Sequence, residues 1–336
     1  MGGVVRRSLL LLLGVAATCY LGVRTGTAHT TVRGATLDPV GIFATGDPRA
    51  LASAGVDWYV TDGATGDVPA GTNRAAIVRL TPAPDLNALR QSVAASPGSV
   101  WLIGSEPNVA TPATSDDLSP ADYATRLHDL AALIHGADPT ALIVGPNVLN
   151  WTDTCTGCAG FPSGADWTQE FYDDYVAAYG ERPPIDRWAV HTYELDWANP
   201  PQLHPEFDIR QLTDLRAWLD STPTETGSLI WDTELGFHWS YPGFDIVDGN
   251  LVPLGDYDQA GVDAWLTALL SWLYRDAQAL GVERAFFYGQ APAAEHGETQ
   301  WAGLSLFDGN DADAALTPSG QLLHDFLAQQ APAIDN

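Results

Sequence analysis

Eight short apolar runs, spaced through the chain and separated by turn and helix patterns, constrain the fold more than any other feature of this sequence. They are Val40–Phe43, Asp57–Asp62, Ala75–Leu80, Ser99–Gly104, Ala141–Gly145, Arg187–His191, Ser228–Thr233 and Arg284–Gly289. Each is nearly continuous in hydrophobicity, as expected of strands buried on both faces. Helical patterns fall between several of them. In one, Ser119 stands in a capping position before Pro120. Tyr123, Leu127, Leu130 and Ile134 then share a face, and Gly136 and Pro139 signal the stop. Gln259–Leu280 reads as one long apolar helix, and a further helix starts within "LTPSGQLLHDFLAQQ".

Eight strands alternating with helices in about 300 residues point to an α/β fold, a (β/α)8 TIM barrel. The segment "GATGDVPAGTNR" between the second and third strands carries no helix signal, so an irregular connection is expected there. A doubly wound open sheet is the alternative. Gly236–Gln259 is the longest stretch read as irregular, and it follows the seventh strand.

The first 28 residues have the order of a secretory signal: Arg6 and Arg7, an apolar core from Leu9 to Ala17, then small residues ending at Ala28. Residues 29–38 read as a tether and 39–332 as one catalytic barrel. The expected location is extracellular, with no stable membrane association once the signal is removed. An uncleaved membrane anchor is the alternative. The net charge is −27 and the chain has no Lys. Phosphate-backbone binding depends on Lys and Arg, so nucleic acid is excluded as a partner class. Such acidity favours solubility, and a monomer is expected. Cys155 and Cys158 read as a small disulfide loop in an oxidising compartment. One CxxC pair supplies only two ligands and completes no zinc site. Asn150 in "NWT" matches a glycosylation sequon.

Barrel enzymes place their chemistry at the C-terminal strand ends. Reading those ends gives an acidic set. "WLIGSEPN" delivers Glu106 after the fourth strand, and "IWDTELGF" carries Asp232 and Glu234 on the seventh. Strict alternation puts Leu102, Gly104 and Glu106 on one face, and Asp232 and Glu234 on another. Glu234 is then the residue nearer a substrate, with Asp232 deeper as a supporting carboxylate. Arg79 is a candidate ion-pair partner for either glutamate. Two carboxylates on separate strands are what glycoside hydrolysis requires, and that chemistry needs neither metal nor organic cofactor.

These motifs resemble those of the clan A glycoside hydrolases, whose shared features are a (β/α)8 barrel and a retaining mechanism. The resemblance implies that Glu106 is the acid/base and Glu234 the nucleophile. "VHTY" is similar to the clan's sixth-strand motif, implying that Tyr193 hydrogen-bonds the nucleophile and His191 lines the sugar site. "QWAGLSLFDGN" is similar to the eighth-strand segment and implies Trp301 as a sugar platform. Trp197 and Trp239, in loops after the sixth and seventh strands, are further candidate platforms, while Trp58, Trp101, Trp188 and Trp231 read as packing. Ser105 and Asn108 complete the substrate-binding set. Ser105 stands where the clan usually has an Asn that contacts the sugar 2-hydroxyl. The expected partner is a neutral polysaccharide or oligosaccharide. Ser105 keeps open a rival reading, a carbohydrate-binding barrel without turnover.

Overall fold

In the computed structural model the described residues are 38–63, 66–110, 115–154, 161–195, 203–237, 244–247, 250–253, 258–289 and 304–330. The strands are β1 (Val40–Phe43), β2 (Trp58–Asp62), β3 (Asn73–Val78), β4 (Val100–Ile103), β5 (Leu142–Leu149), β6 (Arg187–Glu194), β7 (Leu229–Phe237), β8 (Phe244–Val247), β9 (Asn250–Pro253) and β10 (Val282–Tyr288). The helices are α1 (Leu51–Ala54), α2 (Leu86–Ala95), α3 (Pro120–Ala137), α4 (Gly164–Tyr179), α5 (Pro205–Ser221), α6 (Gln259–Arg275) and α7 (Pro318–Gln330). Eight parallel strands close in the order β1-β10-β7-β6-β5-β4-β3-β2. β8 and β9 form a separate antiparallel hairpin.

The closed barrel excludes the open sheet. β2 pairs with β3 in parallel from Trp58↔Asn73 to Asp62↔Ile77. The described residues joining them hold no helix, so closure there rests on strand pairing alone. α3 forms as its pattern implies. The Ser119 hydroxyl accepts from the Asp122 amide at 3.1 Å, and Tyr123, Leu127, Leu130 and Ile134 are buried. α6 is shorter than its apolar pattern, ending at Arg275 with a 3-10 turn over Ala277–Leu280. The hairpin occupies part of the stretch read as irregular. Its signal was the Asp248-Gly249 pair between two apolar runs.

Two layers of core flank the sheet. Inside the barrel pack Val60, Ala75, Ile77, Val100, Leu102, Val144, Ala189, Trp231 and Phe286. Gly41 makes room for the Phe286 ring, which a Cβ there would approach to 2.3 Å. Outside, Trp101, Trp188, Leu212, Leu266 and Leu323 join the helices to the strands. Trp101, Trp188 and Trp231 are buried as expected, and Trp58 lies under the Arg284 guanidinium at 4.0 Å.

Strand lengths differ from the apolar runs where it matters for the site. β5, β6 and β7 continue to Leu149, Glu194 and Phe237. His191 and Tyr193 therefore sit within β6, and Glu234 within β7. Polar residues at these ends are held by ladder bonds that apolar patterning does not reveal.

Candidate active site

The acidic residues expected at the barrel mouth converge, but not by simple alternation. β4 ends at Ile103. Gly104 has φ 78° and Glu106 φ 48°, both left-handed. Glu is uncommon in that region, so its neighbours hold it there. The Glu106 amide donates to the Asn147 carbonyl at 2.9 Å. Asp116, fully buried, accepts from the Leu80 and Thr81 amides at 3.0 and 2.9 Å and from the Ser105 amide at 2.8 Å. Arg79 pairs with this Asp116 at 3.3 Å.

Gly104 carries a testable consequence. A Cβ on it would meet Tyr123 at 3.1 Å and Asp116 at 3.2 Å, with φ 78° besides. Gly104→Ala is expected to destabilise the fold by about 1–3 kcal/mol, measured by urea unfolding. It should also displace Glu106, two residues on, and so lower any activity that depends on it.

A second break in alternation lies on β7. Val190 pairs with Asp232 and His191 with Glu234, leaving Thr233 as an extra residue. This bulge corrects the expectation that Asp232 and Glu234 share a face. Asp232 is fully buried, accepts from the Thr192 hydroxyl at 2.6 Å, and its charge acts on Asp208 on α5. It lies on the helix side of the sheet, while Glu234 faces the mouth.

There, His191 Nδ1 lies 3.1 Å from Glu106 Oε1 and 3.3 Å from Glu234 Oε2. Both neighbours are acceptors, which assigns the proton to Nδ1. The Tyr193 hydroxyl donates to Glu234 Oε1 at 2.7 Å. The glutamate side chains are 13% and 15% exposed while His191 is 1% exposed, so the carboxylates meet solvent over a buried base. Burial pushes the Glu234 carboxyl up to about 7; the Glu106 charge adds to this, while His191, Tyr193 and Arg79 oppose it. Burial alone would lower His191, but the Glu234 charge and the bond to Glu106 outweigh it and raise it. Burial, then the Glu234 charge, raises Tyr193 well above the ordinary tyrosine range.

One ligand atom from each of Glu106, His191 and Glu234 lies within 4.8 Å of the others, a set that could hold a cation. The same spacing brings two partly exposed carboxylates close together. No family model matches the sequence, and no curated protein matches it. Solved structures do match. One is an endo-β-1,3-glucanase of family GH128, subgroup II, from Pseudomonas viridiflava, with TM-score 0.57, 20% identity, and coverage of 85% of this chain and 96% of that one. Another is a curdlan-specific exo-β-1,3-glucanase of GH128 subgroup III from Blastomyces gilchristii, with TM-score 0.56, 20% identity, and coverage of 85% and 97%. A third, an oligosaccharide-binding protein of GH128 subgroup VII from Cryptococcus neoformans, has TM-score 0.53, 15% identity, and coverage of 88% and 95%. The chain shares the (β/α)8 barrel fold of these solved structures.

Within that fold, the structure brings Glu106, Glu234, His191 and Tyr193 together. Asn108 faces the protein instead of a sugar. Its Nδ2 donates to the Leu149 and Pro162 carbonyls at 2.9 and 3.0 Å, and its Oδ1 accepts from the Leu149 amide at 2.9 Å. Its role is to brace the backbone after Glu106. Ser105 is 5% exposed and bonded through its backbone to Asp116 in both directions. Asn150 is fully buried and exchanges bonds with the Tyr193 backbone at 2.8 and 2.9 Å, so its sequon is structural. Trp197, Trp239, Trp301, Cys155 and Cys158 lie outside the described residues, as do residues 1–37. Sequence reasoning missed Asp116, Asn147 and Thr233, whose partners are distant along the chain.

Proposed function

We propose that this chain is a secreted retaining glycoside hydrolase acting on β-1,3-linked glucan. The observation that carries this reading is the convergence of Glu106 and Glu234 on one buried imidazole, with oxygens within 4.8 Å. Retaining enzymes hold their carboxyl groups about 5–5.5 Å apart, and inverting ones about 6.5–9.5 Å. The substrate follows from the β-1,3-glucanases that share the fold.

The reaction starts with a proton on Glu106 and an ionised Glu234. The Tyr193 hydroxyl and the Arg79 charge favour the anion at Glu234, against its burial. Glu106 gives that proton to the glycosidic oxygen as the Glu234 carboxylate attacks the anomeric carbon. The C–O bond to the leaving sugar breaks and a glycosyl ester forms on Glu234. Glu106, now ionised, takes a proton from water. The hydroxyl attacks the anomeric carbon, the ester breaks, and Glu234 is regenerated with Glu106 protonated again.

The test is a panel of β-1,3-glucan, cellulose, xylan and mannan, with products followed by proton NMR. Release of laminari-oligosaccharides with the β-anomer appearing first is expected. An α-anomer appearing first would make the enzyme inverting. Binding of β-1,3-glucan without turnover would favour the non-catalytic reading, which has a precedent in the subgroup VII oligosaccharide-binding protein. Turnover is expected to survive a chelator. Loss restored by a divalent ion would turn Glu106, His191 and Glu234 into a metal centre. Export is tested separately by the N-terminal sequence of protein from the medium, expected to begin at His29.

A further inference from the structure

Glu106 and Glu234 must keep a fixed separation, yet they hang from strands that are not neighbours. β5 and β6 lie between β4 and β7 in the barrel. Glu106 stands beyond the end of its strand, on left-handed backbone. Glu234 follows a bulge. Neither carrier is held in place by ladder pairing alone.

One buried side chain bonds to both carriers. Asn147 is the extra residue where the β5–β6 register slips between Pro146↔Ala189 and Val148↔Val190. It is fully buried with φ 57°, a region that Asn tolerates better than most residues. Its carbonyl accepts from the Glu106 amide at 2.9 Å. Its Nδ2 donates to the Gly104 carbonyl at 3.0 Å. Its Oδ1 accepts from the Thr233 hydroxyl at 2.9 Å. The two segments that carry the carboxylates are thus tied through a single amide.

We infer that Asn147 is a positioning residue that sets the separation of the two carboxylates, with Thr233 as its arm onto β7. This inference rests on the glycosidase reading of the same site. The amide matters because it accepts and donates at once. Asp would keep the acceptor but turn a second oxygen towards the Gly104 carbonyl. Ala would take the side-chain donor from the Gly104 carbonyl and leave the Thr233 hydroxyl only a long bond to the Val190 carbonyl at 3.5 Å. Misplacing a reacting group by about 1 Å costs on the order of 10²-fold in rate.

The experiment compares T233V, T233S, N147A and the N147A/T233V double variant in the full chain. T233V keeps the branched shape and removes only the donor. T233V and N147A are each expected to lower kcat on β-1,3-glucan by about 10- to 100-fold. KM should move by less than about threefold, as for a group acting only in the transition state. Their pH–rate profiles should shift, T233S should stay near native, and the double variant should be no slower than N147A. T233V with native kcat and a native pH profile would overturn the inference, whatever its melting temperature. If the native chain turns over no glycan, the glycosidase reading fails, and the readout becomes the titration of His191 by NMR of histidine-labelled protein. His191 faces Glu106 and Glu234 and feels Asp232, so T233V should move its midpoint. An unmoved midpoint would overturn the positioning role. If N147A does not fold, the Thr233 pair alone decides.

Discussion

Glu234→Ala is expected to lower turnover of β-1,3-glucan by on the order of 10⁴-fold or more, and azide should restore turnover as the α-glycosyl azide. The small anion enters the space of the lost carboxylate and attacks from that side, so a single displacement inverts the centre. Glu106→Ala should behave differently. Loss of a general acid costs about 10²–10⁴-fold, and the loss should shrink on an aryl glycoside whose leaving group needs no proton. With that substrate the ester on Glu234 still forms, and azide should release it as the β-glycosyl azide. The stereochemistry matters because equilibrium titration alone does not separate the two roles. Burial raises Glu234 to about 7, where a general acid would also titrate. The hydrogen bond from Tyr193 and the Arg79 charge argue that its anion is the working form. An α-azide from Glu106→Ala and a β-azide from Glu234→Ala would exchange the roles.

The barrel was legible because strands buried on both faces must be apolar throughout, and each of the eight runs overlaps an observed barrel strand. The helix after Ser119 was legible because its cap, its face and its stop signal are all local. The candidate site was legible as residue types: Glu106, Glu234, His191 and Tyr193 do meet. How they meet was not. Period-two alternation fails at Gly104 and at Thr233, where left-handed backbone and a bulge reset the faces. A bulge depends on the neighbouring strand's register, which no local pattern encodes. Asp116 holds backbone amides at positions 80, 81 and 105, and Asn147 reaches Thr233. Such partners are chosen by the closed barrel, not by spacing along the chain. Asn108 is expected from the sequence to bind sugar. Its amide is committed instead to the ends of two neighbouring segments.

Lowering the pH from 8 to 5.5 is expected to raise the melting temperature. Burial raises Glu234 to about 7 and Asp232 well above its ordinary value. Burial, then the charge of Asp232, does the same to Asp208. A carboxyl with a raised pKa binds its proton in the folded state while the unfolded chain has already lost it. Between the unfolded and folded pKa values the native state holds more protons, so stability falls as pH rises. His191, also raised, has the same sign: its contribution is present at low pH and lost as pH climbs through its folded pKa. For Glu234 alone, moving from 4.5 to about 7 corresponds to about 3 kcal/mol in full, of which about 2 kcal/mol is gained between pH 8 and 5.5. At about 2 °C per kcal/mol for a large domain, that is about 4 °C. Glu283 acts the other way. Bonds from Arg187 and Trp231 outweigh its burial and lower it, so its contribution is lost only in stronger acid. D232N should raise the melting temperature at pH 8 and flatten the slope, since a neutral amide removes the penalty of ionising there. General repulsion among the surface acids, from a net charge of −27, also eases on acidification. Salt separates the two causes. At 1 M the screening length is about 3 Å, which suppresses repulsion between exposed charges while leaving buried proton uptake in place. A slope that survives 1 M salt and shrinks in D232N belongs to the buried carboxyls. A slope abolished by salt, or a melting temperature that falls between pH 8 and 5.5, would remove Asp232 and Glu234 from the account.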